Sequence, residues 1–444
     1  MPMMLPSRTP TRAPSANGRG VERNYEGPKV RTRSIDVARG ITFNGSNSDR
    51  VAMARRGQAA QRPPPVEDDC AEYSDRFLPG YEKSQLLGRG ACAVVWLAMP
   101  SGSTTPVAIK QVAKGTTGKK RSDTEAARKE ILFGTYFFDA GGEPKVSPKQ
   151  NPGIAHIAKL LDYVETKRDI WLVMEYGGTS LTKMAYEIKG EFHRGERLYK
   201  VVHLPLYESM KQDPRVLKAV LRQLLSALCL FSEHRVVHSD IKPDNILIDE
   251  DDRGHTRARF IDLGSAFSFD SPGSLSVATP EYMPHEGLEV CAVGRNLGGA
   301  RMTHGGRAAG GGPPATGKSV DSLQRQSQPW SFDMWSLGSI LLELALGTPL
   351  WLSYKCRVAS DQRNNAAGLG LFAVPGRDPE KILGRQADAI CHRGLAAVLR
   401  GAPGVPLEGG GEFNGLDLLE RMMAWDPMER ISPHEALAHP WLQG

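Results

Sequence analysis

A short polar run in the middle of the chain constrains its fold and chemistry more than any other segment. The run His238-Ser-Asp-Ile-Lys-Pro-Asp-Asn245 places a carboxylate, a lysine and an amide on one loop, and Asp262-Leu-Gly264 begins seventeen residues after Asn245. Phosphoryl transfer from a nucleotide to a hydroxyl needs an acid that orients the hydroxyl, a cation on the moving phosphate and oxygen ligands for Mg²⁺. The spacing therefore predicts a phosphoryl-transfer site.

The pattern His-x-Asp-x-Lys-x-x-Asn with a later Asp-x-Gly resembles the catalytic and metal-binding loops of the protein kinase family. The resemblance implies that Asp240 accepts or orients the substrate hydroxyl and that Lys242 neutralises the transferred phosphoryl group. It also implies that Asn245 and Asp262 hold Mg²⁺. Because the lysine follows the aspartate by two residues, the resemblance is to kinases of the Ser/Thr type.

Earlier segments resemble the ATP site of the same family. Gly88-x-Gly90-x-x-Ala93-x-Val95 lies between two predicted strands, where glycines let backbone N–H groups approach phosphate oxygens. Val107-Ala-Ile-Lys110 puts a lysine on an apolar strand, and the resemblance implies an ion pair with a glutamate of the next helix. Glu130 is the first candidate and Glu125 the second, because Glu125 belongs to a predicted capping box.

Leu172-Val-Met-Glu-Tyr-Gly-Gly178 ends the fifth predicted strand and resembles the family's hinge, whose backbone binds adenine. The resemblance implies ATP and Mg²⁺ as cosubstrate and cofactor. The residues that it assigns to the ATP site are Gly88, Gly90, Ala93, Val95, Ala108, Lys110, Glu130, Met174, Glu175, Tyr176 and Leu247.

Two of the departures from the family pattern lead to predictions. Ser239 stands where many members have an arginine that pairs with a phosphate on the activation loop, and a serine cannot form that bidentate charge pair. We therefore predict that activity does not require phosphorylation of this loop. Gly134 stands where the family usually has a large apolar residue that packs the helix inward, which predicts a loose or partner-assisted helix.

The segment Thr279-Pro-Glu-Tyr-Met-Pro-His-Glu286 resembles the end of the family's activation segment. The resemblance implies that Thr279 bonds near Asp240 and Lys242. It implies structural roles for a pair between Glu286 and Arg430 and for Asp333, which would cap the backbone of the catalytic loop.

The predicted fold class is α+β, with the two lobes of a protein kinase. We expect a small antiparallel lobe of five strands and one helix over residues 76–177, and a larger, mainly helical lobe over 178–444. Glycine-rich stretches predict inserts at 287–328 and 401–414. Residues 1–75, rich in Arg, Ser, Pro and Gly, predict a disordered basic tail.

Charge and cysteine content narrow the remaining possibilities. Residues 1–66 carry a net charge of +8, and the other 378 residues sum to −2, so the basic character belongs to the tail. Six scattered cysteines without a C-x-x-C pair favour a reducing compartment and no structural zinc.

We expect a protein substrate, no nucleic acid, no membrane span, and a cytoplasmic or nuclear location, with an organelle transit peptide as the alternative. The oligomeric state stays open.

Two other functions remain as alternatives. A pseudokinase scaffold would keep the fold without turnover, and the departures at Gly134 and Ser239 leave that reading open. Gly312-Pro-Pro-Ala-Thr-Gly-Lys318-Ser319 satisfies the phosphate-loop pattern of P-loop NTPases. Its two prolines remove backbone N–H donors, so we predict a flexible insert there and keep the NTPase as a distant alternative.

Overall fold

A computed structural model describes most of the chain from residue 77 onward, within one structural unit, Asp69–Gly444. The described ranges are 77–90, 93–115, 118–193, 196–250, 255–272, 279–300, 324–352, 357–358, 371–407 and 413–444. The predicted tail, the phosphate-loop-like segment around Lys318 and much of the predicted insert 287–328 lie outside these ranges.

The N-terminal lobe is built on one antiparallel sheet of five strands, in the order β1-β2-β3-β5-β4. The strands are β1 (Tyr81–Arg89), β2 (Val94–Pro100), β3 (Val107–Ala113), β4 (Leu160–Glu165) and β5 (Asp169–Glu175). Runs of Val, Ile, Leu and Trp favour these strands, because branched and aromatic side chains pack well on a pleated surface. The sheet confirms the predicted five-stranded lobe.

One helix, α1 (Gly118–Phe137), packs against this sheet. It begins before Ser122, so the predicted capping box is wrong: Glu125 instead pairs with Arg121 one turn earlier, at 3.0 Å and largely in solvent. Gly134 lies against β4, where an added Cβ would be 2.7 Å from Cδ2 of Leu160. The missing side chain therefore permits close packing of this helix on the strand.

The C-terminal lobe is mainly helical and surrounds a large buried core. Asp213 caps α4 by accepting from the backbone of Arg215, as the Asp-Pro start predicts. The helices are α2 (Leu181–Ala185), α3 (Pro205–Gln212), α4 (Pro214–Glu233), α5 (His285–Ala300), α6 (Ser331–Leu346), α7 (Pro379–Ala387), α8 (Leu395–Val398), α9 (Gly415–Met422), α10 (Pro433–Leu437) and α11 (Pro440–Gln443).

Short strands flank the loops of this lobe. In one sheet, β10 pairs with both β6 and β11, and in another β9 pairs with β12. These strands are β6 (Thr179–Ser180), β9 (Val236–Val237), β10 (Ile246–Glu250), β11 (Thr256–Phe260) and β12 (Phe267–Ser268). The catalytic-loop candidates precede β10, and Asp262 follows β11, so one hairpin brings both segments together.

A hairpin between α2 and α3 is not among the elements predicted from the sequence. Its strands are β7 (Tyr186–His193) and β8 (Glu196–His203), and β13 (Arg357–Val358) joins β8 in parallel. The mainly helical lobe predicted over 178–444 therefore also contains an extended hairpin near its start. The signal was weak because Lys, Glu and Gly interrupt the alternation of apolar residues.

One predicted insert needs correction where the structure describes it. Residues 287–300 belong to α5, which buries Leu288 and Cys291 against the core, so the expectation of a loop is wrong there. The described stretch 401–407 contains no helix or strand, as expected, although Val405 is buried and its N–H donates to the carbonyl of Leu344 at 2.9 Å.

Candidate active site

Three charged side chains meet where β3, α1 and the end of β11 come together. Nζ of Lys110 lies 2.7 Å from Oε2 of Glu130 and 3.1 Å from Oδ1 of Asp262. The choice of Glu130 over Glu125 is thereby confirmed. The glutamate is buried and the lysine is partly buried, whereas the Asp262 side chain is 39 % exposed. One carboxylate of the cluster is therefore accessible from solvent.

Mutual charge keeps Lys110 and Asp262 ionised. Burial lowers the pKa of Lys110, but the Asp262 and Glu130 carboxylates outweigh it, so the net shift is upward. Burial raises the pKa of Asp262, yet the Lys110 charge prevails and holds it at about 2. Burial also raises the pKa of Glu130, against the opposing effect of Lys110. Asp262 is accordingly a carboxylate at neutral pH.

A second polar cluster forms on the loop before β10. Nζ of Lys242 lies 2.6 Å from Oδ2 of Asp240 and 2.9 Å from Oγ1 of Thr279, and that hydroxyl donates to Oδ1 of Asp240 at 3.0 Å. Asn245 donates its amide N–H to the Asp240 carbonyl at 2.8 Å. The predicted approach of Thr279 to Asp240 and Lys242 is confirmed.

Buried hydrogen bonds fix this loop. Asp333, which is 2 % exposed, accepts from the backbone N–H groups of His238 and Ser239 at 2.8 and 3.0 Å, confirming its predicted capping role. Ser239 has a φ of +63°, and its hydroxyl donates to the carbonyl of Ser265 at 2.8 Å. A strained non-glycine residue persists only where its surroundings hold it. The loop is therefore preorganised.

The two clusters offer oxygen atoms suited to a hard cation. Asn245 uses its amide nitrogen on Asp240, which leaves the amide oxygen for a ligand. Asp262 adds a carboxylate. Among the described residues no group of three or more His, Cys, Asp and Glu side chains is arranged for a metal. The amide oxygen of Asn245 and the carboxylate of Asp262 together fit Mg²⁺, because Mg²⁺ takes few protein oxygens and completes its shell with water and phosphate.

The five-stranded sheet of the N-terminal lobe, β1 to β5, is called the upper sheet below. Its register aligns the predicted ATP-site residues. Val95 on β2 is opposite Lys110, and Ala108 on β3 is opposite Met174 on β5. Ala93 packs in the same apolar cluster as Met174. In the glycine loop, Gly88 pairs with Val95, and the N–H of Gly90 donates to the Ala93 carbonyl at 2.9 Å.

The chain leaves β5 through residues 175–178, which we call the hinge. An added Cβ on Gly177 would lie 3.1 Å from Cδ1 of Leu247, and Gly178 has a φ of +94° against the carbonyl of Ile248. Tyr176 is 38 % exposed. The hinge therefore runs directly over β10. Leu247 on β10 thus lies against the hinge, next to the ATP-site residues predicted on the upper sheet.

A further ion pair anchors the end of the activation-segment candidate. Arg430 donates to both carboxylate oxygens of Glu286, at 2.6 and 2.9 Å, and the arginine side chain is fully buried. The predicted pair is confirmed.

Sequence reasoning missed two contributors near the site. Arg259 on β11 pairs with Glu175 of the hinge, and Glu343 on α6 accepts from the hydroxyl of Tyr282. The only signal for the arginine was a charge between the apolar residues Ala258 and Phe260. Its partners could not be identified, because they come from strands far apart in the sequence.

The comparisons agree with this arrangement. The family model described as a protein kinase domain matches residues 81–297. "Mitogen-activated protein kinase 15" of Rattus norvegicus is 28% identical over 385 residues, covering 84% of this chain and 56% of the relative. "Extracellular signal-regulated kinase 2" of Dictyostelium discoideum is 25% identical over 383 residues, covering 84% of this chain and 81% of the relative.

A third relative, from Arabidopsis thaliana, is named a probable inactive protein kinase and is 24% identical over 349 residues, which is 65% of this chain and 85% of the relative. The chain spans little more than half the length of the rat relative and of a mouse relative of the same name.

The bilobal fold and the two polar clusters define a protein kinase domain. Residues 81–297 match that domain, and the chain resembles the serine/threonine members of the eukaryotic protein kinase family. Within the described residues, no helix combines the length and apolar character that crossing a membrane requires.

Proposed function

We propose that this protein is an ATP- and Mg²⁺-dependent kinase that transfers the γ-phosphoryl group to Ser or Thr hydroxyls of protein substrates. The observation that carries the proposal is the bonded set of Asp240 and Lys242, on the preorganised loop, with Thr279 of the activation-segment candidate. The ionised Asp262, held by Lys110, supplies the second half of the site.

Each side chain has a defined task in this account. Asp240 orients the substrate hydroxyl and accepts its hydrogen bond. Lys242 has three N–H donors, of which Asp240 and Thr279 take two, so one remains for the transferred phosphate. Lys110, fixed by Glu130, binds the remaining phosphates. Rate enhancement then comes from positioning and from charges that need no rearrangement.

Asn245 and Asp262 would hold Mg²⁺, which supplies neutralisation of phosphate charge when bound. The low pKa of Asp262 supports this role, because the carboxylate is available as an anion throughout the neutral range. The ATP base would lie between the upper sheet and β10, beside Ala108, Met174 and Leu247, with the hinge along its edge.

A pseudokinase scaffold is the second candidate, and the relative named as a probable inactive kinase favours keeping it. Against it stand the intact Lys110–Glu130 pair and the complete Asp240 cluster. The distant NTPase alternative depends on Lys318, which lies outside the described residues.

The test is to identify the product. The protein is incubated with γ-labelled ATP, Mg²⁺ and a generic basic protein, and the labelled protein is hydrolysed to its amino acids. We expect phosphoserine or phosphothreonine, and the same yield from Lys318→Ala. Only free phosphate, lost in Lys318→Ala, would support the NTPase, and binding of ATP without any product would support the scaffold.

The natural protein substrate and the location of the protein belong to the same proposal. We propose a protein substrate and a cytoplasmic or nuclear site, with an organelle as the alternative for the location. The basic, acid-poor composition of residues 1–66 supports an address or a binding segment there. Microscopy of the tagged chain with and without residues 1–75 would separate these locations.

A further inference from the structure

A buried arginine contacts the hinge. Arg259 belongs to β11, two residues before Ile261 and three before the metal-site candidate Asp262. Its side chain is only 11 % exposed. A buried guanidinium is costly unless carboxylates pair with it, so its partners are informative.

Two carboxylates from different strands hold this arginine. Its Nε lies 3.4 Å from Oε1 of Glu175, the first hinge residue, and its Nη1 lies 3.2 Å from Oδ2 of Asp249 on β10. The Glu175 oxygen also accepts from the backbone N–H of Lys159 at 3.2 Å. The guanidinium thus joins the last residue of the upper sheet to a strand of the lower lobe.

The same guanidinium contacts the hinge backbone. An added Cβ on Gly177 would lie 3.3 Å from Nη1 of Arg259 and 3.1 Å from Cδ1 of Leu247. Leu247 and Arg259 are also direct partners across the β10–β11 pair. The hinge therefore rests on two neighbouring side chains, of which one faces the proposed adenine position and the other carries a charge.

We propose that Arg259 is a positioning residue for the nucleotide: by clamping Glu175 to Asp249, it sets the course of the hinge backbone and so the affinity for the adenine part of ATP. The inference rests on the proposed function, since it deepens the account of the same site. Arg259 itself does not touch the reacting atoms. Arginine suits this task because its rigid planar fork can hold two carboxylates in a fixed geometry.

We call Arg259 with Glu175 and Asp249 the clamp. It predicts different effects on the binding of the adenine base and on the binding of the phosphates. Binding of ATP with Mg²⁺, and of adenosine, is measured by calorimetry on the full chain. Arg259→Met should weaken both ligands by the same factor, about tenfold, because both share the base. Lys110→Met should weaken ATP and leave adenosine near the wild-type affinity. Arg259→Lys should fall between wild type and Arg259→Met, since lysine keeps the charge without the fork.

Kinetics supply a second readout. Arg259→Met should raise the KM for ATP about tenfold while kcat and the KM for the protein substrate change by less than about twofold. The matched control is Arg215→Met, which removes an exposed arginine paired with Asp213 at 2.9 Å on the surface. That control should leave both ligands and both KM values unchanged.

The results that overturn the clamp are distinct. Unchanged affinity for both ligands in Arg259→Met, or a loss for ATP without a loss for adenosine, contradicts it. If Arg259→Met does not fold, Glu175→Gln leaves Arg259 paired with Asp249 and should still give a smaller, equal loss for both ligands; no loss there contradicts it as well.

These outcomes are separable from failure of the proposed function. A wild-type protein that binds both ligands without transferring phosphate overturns the proposed function and leaves the binding test valid. A wild-type protein that binds neither ligand contradicts both.

Discussion

Two buried ion pairs in this molecule have similar chemistry and opposite surroundings. Lys110 pairs with Glu130 in the cleft, and Arg430 pairs with Glu286 beneath the end of the activation-segment candidate, at 2.7 and 2.6 Å respectively. The first pair extends to Asp262, whose carboxylate is partly exposed. The second pair is enclosed on every side, with both partners almost completely buried.

The enclosed pair is satisfied within the protein. Arg430 also donates to the carbonyls of Ser331 and Ala424, each at 2.9 Å, so four of its five N–H donors are used inside the fold. In the first pair, Lys110 is only partly buried and its second partner, Asp262, is open to solvent. The comparison teaches that burial and pairing alone do not mark a functional charge; an open carboxylate next to a satisfied cation does.

The largest effect should follow removal of the open carboxylate. Asp262→Asn should lower kcat by at least about 10³-fold, because the metal loses its anionic ligand. The unfolding free energy should stay within about 1 kcal/mol of wild type, since asparagine tolerates the φ of +66° at this position. Initial rates and urea unfolding check both parts. Wild-type turnover in this variant would contradict the site.

The enclosed pair should give the opposite result. Arg430→Met should cost about 3–5 kcal/mol of unfolding free energy, because it leaves the Glu286 carboxylate buried and unpaired. The KM for ATP of the folded fraction should remain near wild type. The double variant Arg430→Met with Glu286→Leu should recover part of the loss. A folded, stable single variant with altered ATP binding would erase the distinction between the two pairs.

A third buried carboxylate sharpens the comparison through pH. Burial raises the pKa of Glu343 to about 7 from an ordinary 4.5, although hydrogen bonds from Tyr282 and the N–H of Leu350 oppose the rise. The folded state therefore binds this proton more tightly than the unfolded chain. Its stabilisation is fully present below about pH 4.5 and is lost as pH rises to about 7, with a magnitude of about 3 kcal/mol.

Glu343→Gln tests that dependence with little change of shape. The unfolding free energy of the variant, measured in urea at several pH values, should vary by about 3 kcal/mol less than wild type between pH 4.5 and 7. The difference between wild type and variant should grow with pH across this window. Parallel stability curves would show that Glu343 does not titrate there.

The packing of α1 predicts a smaller effect. Gly134→Ala gains about 1 kcal/mol in helix propensity, but its Cβ would lie 2.7 Å from Cδ2 and 3.0 Å from Cβ of Leu160, a clash that costs about 1–3 kcal/mol. We expect net destabilisation and a higher KM for ATP, because the helix carries Glu130.

Gly384→Ala is the matched control for this variant. Gly384 also lies within a helix, α7, and an added Cβ there meets no atom within 4 Å. This variant should be stabilised by about 0.5–1 kcal/mol. Stabilisation of both variants in urea unfolding would disprove close packing at Gly134.

The smallest effect should come from phosphatase. The Ser239 hydroxyl already bonds to Ser265 on the segment after Asp262, and serine offers no cation for a phosphate. Phosphatase treatment should therefore leave kcat within about twofold of the untreated protein. That factor corresponds to a free-energy change well below the contribution of one hydrogen bond to a charged group. A large loss, restored by rephosphorylation, would mean that another cation replaces the missing arginine.

Sequence predicted the site better than it predicted the fold around it. Asp240, Lys242 and Asn245 lie on one short loop, so their spacing alone brings them together. Lys110 and Glu130 could be paired only through the resemblance, because helix and strand packing decides which glutamate faces the lysine. Glu125, the other candidate, points to solvent and pairs with Arg121 on the same helix.

The features that sequence reasoning missed depend on contacts between distant segments. The β7–β8 hairpin is completed by residues 357–358, about 150 positions later. The role of Arg259 could not be predicted, because its partners Glu175 and Asp249 come from two other strands. Gly134 predicted loose packing, yet the close approach of Leu160 reverses that reading, since a glycine can serve contact as well as flexibility.

The most direct test of the central claim is the rate of labelled phosphate transfer from ATP to a basic protein by wild type and by Asp240→Ala, with Mg²⁺ and at equal folded concentration. The account predicts phosphorylated Ser or Thr from the wild type and a loss of at least about 10²-fold in the variant, with ATP affinity retained. Equal transfer by both proteins would contradict the assignment of the site, and no transfer by a wild type that binds ATP would contradict the proposed activity.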